Sequence, residues 1–329
     1  SEIVAPYLHH YGTPEQQQTW LPRMARGEVI SAIGMTEPGT GSDLANISTR
    51  ATPHDGGYLI KGQKIFISGG DNHFSENIIH LVLARLEGAP AGTKGISLLV
   101  VPKKRMENGQ WVQNEVVSLG VYHKMGQKAT PALHLSFGDK GASIGYLVGE
   151  PNKGLKYMFQ MMNEARLGIG MNATAIAAAA YQTSLAYAKV RPQGRNISDK
   201  EPNRPQVPII QHADVKRMLL FQKSITEGSL ALLIFCGLLG DKLSQESEPQ
   251  KKAEMEALLD LLIPIAKSYP SEMGVQSTSM AIQVLGGAGY TTDFPVEQYY
   301  REARIHPIHE GTTGIHGLDL LGRKMLLHE

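Results

Sequence analysis

The sequence predicts an α+β, multi-domain fold in which an antiparallel β-barrel is followed by an antiparallel four-helix-type bundle, with a truncated helical segment in front. The chain has 329 residues, too long for one core and close to the length of two domains. Short apolar runs separated by glycines fill residues 30–150, and helical periodicity begins after residue 154. We therefore expect three segments, 1–29, 30–150 and 151–329.

The first segment carries a helix start. Thr13 is a suitable cap and Pro14 suits the first helical position, which predicts a helix up to residue 26. A piece of this size cannot form a core of its own.

The second segment consists of short β-rich runs at hairpin spacing, with no helical pattern between them. These runs are residues 58–60, 64–68, 78–85, 96–101, 116–119 and 133–137. This pattern of short strands favours an antiparallel barrel or sandwich over a doubly wound α/β sheet.

The third segment has the periodicity of long helices. We expect helices at residues 155–190, 210–239, 253–285 and 313–327, with Pro264 kinking or splitting the third. Four prolines between residues 191 and 208 predict a loop before the second helix.

Composition excludes several function classes. Lysine plus arginine is 32 against 31 acidic residues, so we expect no nucleic-acid binding by bulk charge. Cys236 is the one cysteine, which excludes intramolecular disulfides and cysteine-based metal clusters and suits a reducing compartment. The longest strongly apolar stretch, residues 230–239, is too short for a bilayer span, and no signal peptide is expected. The expected location is the cytoplasm, or the mitochondrial matrix in a eukaryote.

Two motifs match known sites only in part. Residues 168–173 fit the dinucleotide pattern Gly-x-Gly-x-x-Ala, but they lie inside a helical pattern, where glycines serve close helix packing. His309 and Glu310 lack the second histidine of a zinc helix, and His306 and His316 are not at ligand spacing. We therefore predict no metal site.

Two turn-rich segments carry the candidate chemistry. Residues 35–43, Met-Thr-Glu-Pro-Gly-Thr-Gly-Ser-Asp, offer backbone N–H groups and hydroxyls to a flavin edge or a phosphate, or form a structural loop. Residues 308–315, Ile-His-Glu-Gly-Thr-Thr-Gly-Ile, place Glu310 before a turn into a helix. There Glu310 is either a general base aimed by the backbone or a helix N-terminal acid.

Together with residues 283–290, Gln-Val-Leu-Gly-Gly-Ala-Gly-Tyr, and 300–305, Tyr-Arg-Glu-Ala-Arg-Ile, these segments resemble the acyl-CoA dehydrogenase family. The resemblance covers residues 1–326 and implies a barrel between helical domains, with residues 1–29 as the remnant of the first. Residues 162–167, the proline-rich loop and residues 318–324 are similar to the longer bacterial branch, which includes 3-methylmercaptopropionyl-CoA and long-chain acyl-CoA dehydrogenases.

The resemblance implies an FAD-dependent reaction on an acyl-CoA thioester. A glutamate, here Glu310, removes the α-proton while the β-hydrogen leaves as hydride to flavin N5, giving a trans-2-enoyl-CoA. The thioester carbonyl is polarised by the N–H of Glu310 and a flavin hydroxyl. The implied partners are an electron-transfer flavoprotein and further copies of the chain, as a dimer or tetramer. An acyl-CoA oxidase and a non-catalytic acyl-CoA- and FAD-binding family member are the alternatives.

The resemblance also assigns residues to ligands. Those matching flavin contacts are Ile33, Met35, Thr36, Ser42, Phe66, Ile67, Ser68, Arg191, Gln283, Gly286, Gly287 and Thr312. Those matching substrate contacts are Ser42, Asn163, Arg166, His309 and Gly311. Gln283, Gly286 and Gly287 match a stretch that reaches the flavin of a neighbouring subunit. Relatives commonly have tyrosine at position 309, and the histidine here either alters the pKa of the base or only packs. Some relatives carry the base before the helix arginine, where this chain has Ala165, next to Glu164.

Overall fold

The computed structural model describes residues 4–198, 200–201 and 203–326, without the side chains of residues 160 and 161. The chain divides into two compact units. The first contains residues 1–124 and 128–162, and the second contains residues 125–127 and 163–329. The boundaries expected at residues 29 and 150 remain predictions.

The first unit begins with two short helices, α1 (Ala5–Tyr11) and α2 (Pro14–Ala25). The predicted start of α2 is confirmed, because the Thr13 hydroxyl accepts from Gln16 N at 3.2 Å and the Gln16 side chain accepts from Thr13 N at 3.0 Å. Trp20 and Met24 of α2 are buried in the core of this unit.

Ten strands follow in the first unit as described. They are β1 (Val29–Gly34), β2 (Arg50–His54), β3 (Gly57–Ser68), β4 (Asn77–Leu86), β5 (Ile96–Pro102), β6 (Lys104–Glu107), β7 (Gln110–Gln113), β8 (Val116–Val121), β9 (Ala132–Phe137) and β10 (Ile144–Leu147). β4 and β5 form its buried centre, as their mainly apolar sequences require.

The strand pairings close into a barrel. The main sheet runs β1-β4-β5-β10-β3-β9-β8, and β2 pairs with both β3 and β4, which completes a ring of β4, β5, β10, β3 and β2. The sheet is mixed rather than wholly antiparallel, because β1 and β2 both pair parallel to β4. The β2–β3 hairpin provides the long connection that a parallel pairing needs.

Strand β3 joins two runs that the sequence separates, residues 58–60 and 64–68. It pairs with β10 at its start and with β9 at its end, and its register with β9 shifts between Lys64 and Ile67. This β-bulge re-aims the side chains at the end of the strand.

The second unit is helical. Its helices are α3 (Gly154–Val190), which begins in the first unit, α4 (Ala213–Gln245), α5 (Pro249–Leu285), α6 (Val296–Ala303) and α7 (Thr313–Asp319). A π-helical turn, Leu320–Lys324, replaces the last part of the helix expected to reach residue 327, and residue 327 itself lies outside the described residues.

Helix α5 is not split at Pro264, and it also runs through Pro270. A proline frees the carbonyl four residues earlier. For Pro264 this is the Asp260 carbonyl, which accepts a hydrogen bond from Lys324 Nζ at 2.5 Å. For Pro270 it is the Ala266 carbonyl, and a Cβ on Gly170 of α3 would lie 2.2 Å from that oxygen. The packing interpretation of the glycine motif is therefore confirmed at Gly170, whereas Gly168 faces open space.

Helix α4 carries apolar residues on more than its buried face. Leu220, Ile234, Phe235 and Leu238 are exposed, with Leu220 at 66%. By length and composition alone α4 is the one helix among the described residues that could cross a bilayer, and 28% of its apolar window is buried. The core helix of a soluble protein meets the same criterion.

Candidate active site

Glu310 lies in a strained turn of the second unit. Its backbone has φ +53°, in the left-handed region, and Gly311 follows at φ +90°. A glutamate in this region costs of order 1 kcal/mol, and such strain persists where the surroundings over-determine it. Two residues later Thr312 caps α7, accepting from Ile315 N at 3.4 Å. The turn is thus fixed by its connection to a helix.

Side chains from two helices hold this turn. Lys267 of α5 is fully buried, and its Nζ donates to the carbonyl oxygens of His306 at 2.8 Å and Gly311 at 2.6 Å. His316 Nε2 of α7 lies 3.2 Å from the Glu310 carbonyl oxygen. A Cβ on Gly311 would lie 2.9 Å from the same His316 nitrogen, so this position requires glycine for space as well as for its φ.

The charge of Glu310 is set by burial and by two cations. Burial raises the pKa of its carboxyl, while Arg166 of α3 and Lys267 oppose that rise. Burial lowers the pKa of Lys267 to about 8 although Glu310 favours its ammonium form. Burial that raises the pKa of a carboxyl also makes its carboxylate a stronger base, which suits Glu310 to proton removal.

The histidines around the turn are uncharged at neutral pH. Burial, with the neighbouring cations, lowers the pKa values of His309 and His316 to about 4. The His309 ring packs edge-on against His306, with centroids 5.6 Å apart, and its Nε2 is buried without a hydrogen bond. This position of His309 fits the packing interpretation, since an uncharged ring adds no charge beside Glu310.

Arg166 is buried at 3% exposure and has polar partners on both sides. It donates to Asn163 Oδ1 at 3.2 Å and lies 3.6 Å from Asp319 Oδ2. Asn163 and Arg166, both expected to contact substrate, are therefore brought together on α3, where Arg166 also acts on Glu310 through its charge. Their contact with substrate stays a prediction.

The remaining predicted residues of the second unit lie elsewhere on its surface. Gln283, Gly286 and Gly287 are exposed at the C-terminal end of α5, where Gly286 has φ +61°. Arg191 is exposed just after α3. No contact among the described residues joins any of these four to Glu310. Their exposure is compatible with the expected role of residues 283–287 at a neighbouring subunit, which is untested.

In the first unit, the turn after β1 is built around the buried carboxylate of Glu37. Ser48 and Thr49 each donate to it with a backbone N–H and a hydroxyl, at 2.6–3.1 Å. Lys64 Nζ donates to Glu37 Oε1 at 2.8 Å and to the Met35 carbonyl at 3.1 Å. Burial alone raises the pKa of Glu37, but these donors outweigh burial and hold that pKa at about 2. The backbone of residues 35–37 is therefore fixed.

The end of β3 presents an aromatic ring to solvent. Phe66 is 58% exposed, has φ +59° and lies with its ring centroid 4.7 Å from that of Tyr122. Ile65 N donates to the Thr36 carbonyl at 2.8 Å, which ties this strand to the turn after β1. The structure thus brings the turn residues Met35 and Thr36 next to Phe66.

The other predicted flavin contacts in this unit differ in exposure. Ile67 is buried at 2%, Ile33 is partly buried, and Ser42 and Ser68 are exposed. Their contacts with flavin or substrate remain predictions.

Sequence reasoning missed Lys64 and Lys267, considered His316 only as a metal ligand, and did not single out Glu37 within its motif. A signal existed for both lysines. Lys64 follows Ile60 by four residues along β3, which puts both on the same face of the sheet. Lys267 interrupts an apolar stretch of α5, between Ala266 and Pro270. A buried cation needs hydrogen-bond partners, and here the partners of Lys64 and Lys267 lie in the turn after β1 and in the turn at Glu310.

Comparisons with known proteins show which family the chain is related to. Models of the acyl-CoA dehydrogenase N-terminal, middle and C-terminal domains match residues 1–28, 32–139, and 152–207 with 238–326. The chain belongs to the acyl-CoA dehydrogenase family. The resemblance seen in the sequence and the predicted fold class are both confirmed.

Similar proteins include the 3-methylmercaptopropionyl-CoA dehydrogenase of Ruegeria pomeroyi, at 42% identity over 96% of this chain and 53% of that protein. A butyryl-CoA dehydrogenase of Syntrophomonas wolfei is 40% identical, with the same shares covered. The crystal structure of an acyl-CoA dehydrogenase from Geobacillus kaustophilus has a TM-score of 0.78 and 27% identity, covering 98% of this chain and 75% of that one. The chain spans about half the length of the curated relatives it matches.

Proposed function

We propose that this chain is the catalytic part of an FAD-dependent acyl-CoA dehydrogenase, with Glu310 as the base that removes the α-proton of the thioester. The observation that carries the proposal is the strained, partly buried turn at Glu310, which is held by hydrogen bonds from Lys267 and His316. Membership of the acyl-CoA dehydrogenase family supports the reaction class.

The surroundings of Glu310 suit proton removal. Burial strengthens the carboxylate as a base, and the charges of Arg166 and Lys267 favour its ionised form. No hydrogen bond within the described residues uses the backbone N–H of Glu310, so this group is free to donate to the thioester oxygen. Such a donor stabilises the negative charge that develops on oxygen as the α-proton leaves.

The first unit carries residues that fit a flavin. Phe66 offers an exposed aromatic face, and the backbone of Met35 and Thr36 is immobilised beside it by Glu37 and Lys64. An exposed aromatic ring in a strained conformation suits contact with a flat ring system. FAD, when bound, supplies the acceptor for the β-hydrogen, which leaves as hydride while the α-proton goes to Glu310 and the carbon–carbon double bond forms.

We further propose short linear acyl-CoA thioesters as substrates, an electron-transfer flavoprotein as acceptor and a homo-oligomer as the working form. Two relatives are named for butyryl-CoA and 3-methylmercaptopropionyl-CoA, both with short acyl chains. The exposed apolar residues of α4 support an oligomer, because a stripe of this kind is covered in stable assemblies.

The test is an anaerobic absorbance titration of the protein with butyryl-, 3-methylmercaptopropionyl- and longer acyl-CoAs. Bleaching of bound flavin in the wild type, slowed about 100- to 10,000-fold in Glu310→Gln, would support the proposal. Glu164→Gln is the matched control, since Glu164 is exposed on α3 and should leave the rate unchanged. Equal bleaching by Glu310→Gln would remove Glu310 from the mechanism, and absence of flavin binding would remove the function.

A further inference from the structure

The loop that contains Glu310 is closed by one buried ammonium. Lys267 Nζ donates to the carbonyls of His306 and Gly311, which lie on either side of Glu310 in the chain. His316 adds a third contact at the Glu310 carbonyl. With these contacts fixed, the left-handed conformation of Glu310 cannot relax unless the Lys267 hydrogen bonds break.

The charge of Lys267 is not cancelled by a bonded carboxylate. Its hydrogen bonds go to neutral carbonyls, and among the described residues no acidic group lies within ion-pair distance of its Nζ. A cation in this surrounding acts strongly on nearby ionisable acids, because little water screens it. The acid with the largest favourable influence on the Lys267 charge is Glu310, ahead of Glu272.

Other groups that face the loop come from each element packed against it. Arg166 of α3 is a second cation, and its charge is shared with Asp319 of α7. Asp319 is also bound by Arg323 at 2.5 Å. His306, His309 and His316 are uncharged at neutral pH because burial lowers their pKa values. Lys267 is thus the cation in this set that lacks a bonded acidic partner.

We propose that Lys267 is a positioning residue for Glu310: its ammonium closes the loop of residues 306–311 and presents an uncancelled positive charge to the carboxylate. The inference rests on the function proposed above, in which Glu310 is the base. It assigns two separable effects to one side chain, the shape of the loop and the pH at which the base ionises.

Two substitutions separate these effects. Lys267→Gln keeps N–H donors and removes the charge, whereas Lys267→Met removes both. Because a nearby cation favours the ionised acid, loss of the charge raises the pKa of Glu310, and the acidic limb of the rate profile moves to higher pH by about one unit or more. Lys267→Met should in addition lower the plateau rate about tenfold or more, since the carboxyl is then misplaced.

The direct readout is the titration of the Glu310 carboxyl by infrared spectroscopy, with Glu310→Gln subtracted to identify its band. The band should titrate at higher pH in both Lys267 variants. Lys251→Met is the matched control, because Lys251 lies on the same helix with its side chain 60% exposed and its titration effect should be nil. An unchanged Glu310 titration in Lys267→Gln would overturn the proposal.

A reciprocal experiment needs no substitution at Lys267. If the two charges are coupled, Glu310→Gln must lower the pKa of Lys267, which nitrogen-15 NMR of the lysine side chains measures. An unshifted Lys267 would overturn the coupling even if both Lys267 variants failed to fold. If the titrations of Lys267 and Glu310 are coupled but the protein does not turn over acyl-CoA, only the proposed function is contradicted. If acyl-CoA is turned over but the two titrations are independent, only this inference is contradicted.

Discussion

Each unit has a buried lysine beside a turn of the candidate site: Lys64 beside the turn after β1, and Lys267 beside the turn at Glu310. The two lysines have different kinds of hydrogen-bond partner. Burial lowers the pKa of both Lys64 and Lys267 to about 8. Lys64 is bonded to the Glu37 carboxylate, which is also saturated by Ser48 and Thr49. Lys267 is bonded to carbonyls only. A saturated ion pair fixes a backbone and has no charge left for a ligand, whereas an uncancelled charge also acts on the neighbouring acid.

The largest expected effect is the loss of Lys64. Lys64→Met leaves Glu37 buried without its cation, and breaking a buried pair in this way costs about 3–5 kcal/mol of unfolding free energy. Urea denaturation followed by circular dichroism measures it. Glu37→Gln with Lys64→Met should recover part of the loss, because no buried charge is then left unpaired. A double variant less stable than Lys64→Met would contradict the ion-pair account.

The next effect is acid sensitivity of the same pair. The pKa of Glu37 is lowered from 4.5 to about 2, so its ionised form stabilises the fold above pH 4.5 and this contribution is lost as the pH falls toward 2. The expected loss is roughly 3 kcal/mol. Unfolding free energies measured across that range in the wild type and in Glu37→Gln check it. A variant with the same pH dependence as the wild type would show that other carboxyls govern acid unfolding.

The sequence predicts the elements whose signal is local. β4, β5 and β9 are mainly apolar and almost wholly buried, and α3 keeps its periodicity over its whole length, so these were predicted close to their observed bounds. β1, β2, β6, β7 and β10 were not predicted, and each of them is only partly buried. The parallel pairing of β1 with β4 depends on strands far apart in the chain, which a local pattern does not report.

The same distinction applies to the candidate site. Glu310 was found through its motif, and the structure adds the left-handed backbone that the motif does not reveal. The apolar stretch around Lys267 signals that this lysine is buried, but its hydrogen-bond partners depend on how α5 packs against the loop and are not visible in the sequence. The motif therefore predicts the candidate base, whereas the contacts that hold it in place are found only in the folded structure.

The smallest expected effect is that of removing the Phe66 side chain. The experiment tests whether the Glu37–Lys64 pair is enough to hold the turn after β1. Glycine accepts φ +59° without strain, so Phe66→Gly should change the unfolding free energy by less than about 1 kcal/mol. The affinity for FAD should fall about 2- to 10-fold, because an aromatic face is lost. Fluorescence titration with FAD measures this, with Phe74→Ala as control, since Phe74 is 85% exposed in the loop after β3. If Phe66→Gly unfolds the unit instead, the Phe66 ring stabilises the fold. The ion pair would then not be enough, and Phe66 and Tyr122 would also be needed to hold this part of the unit.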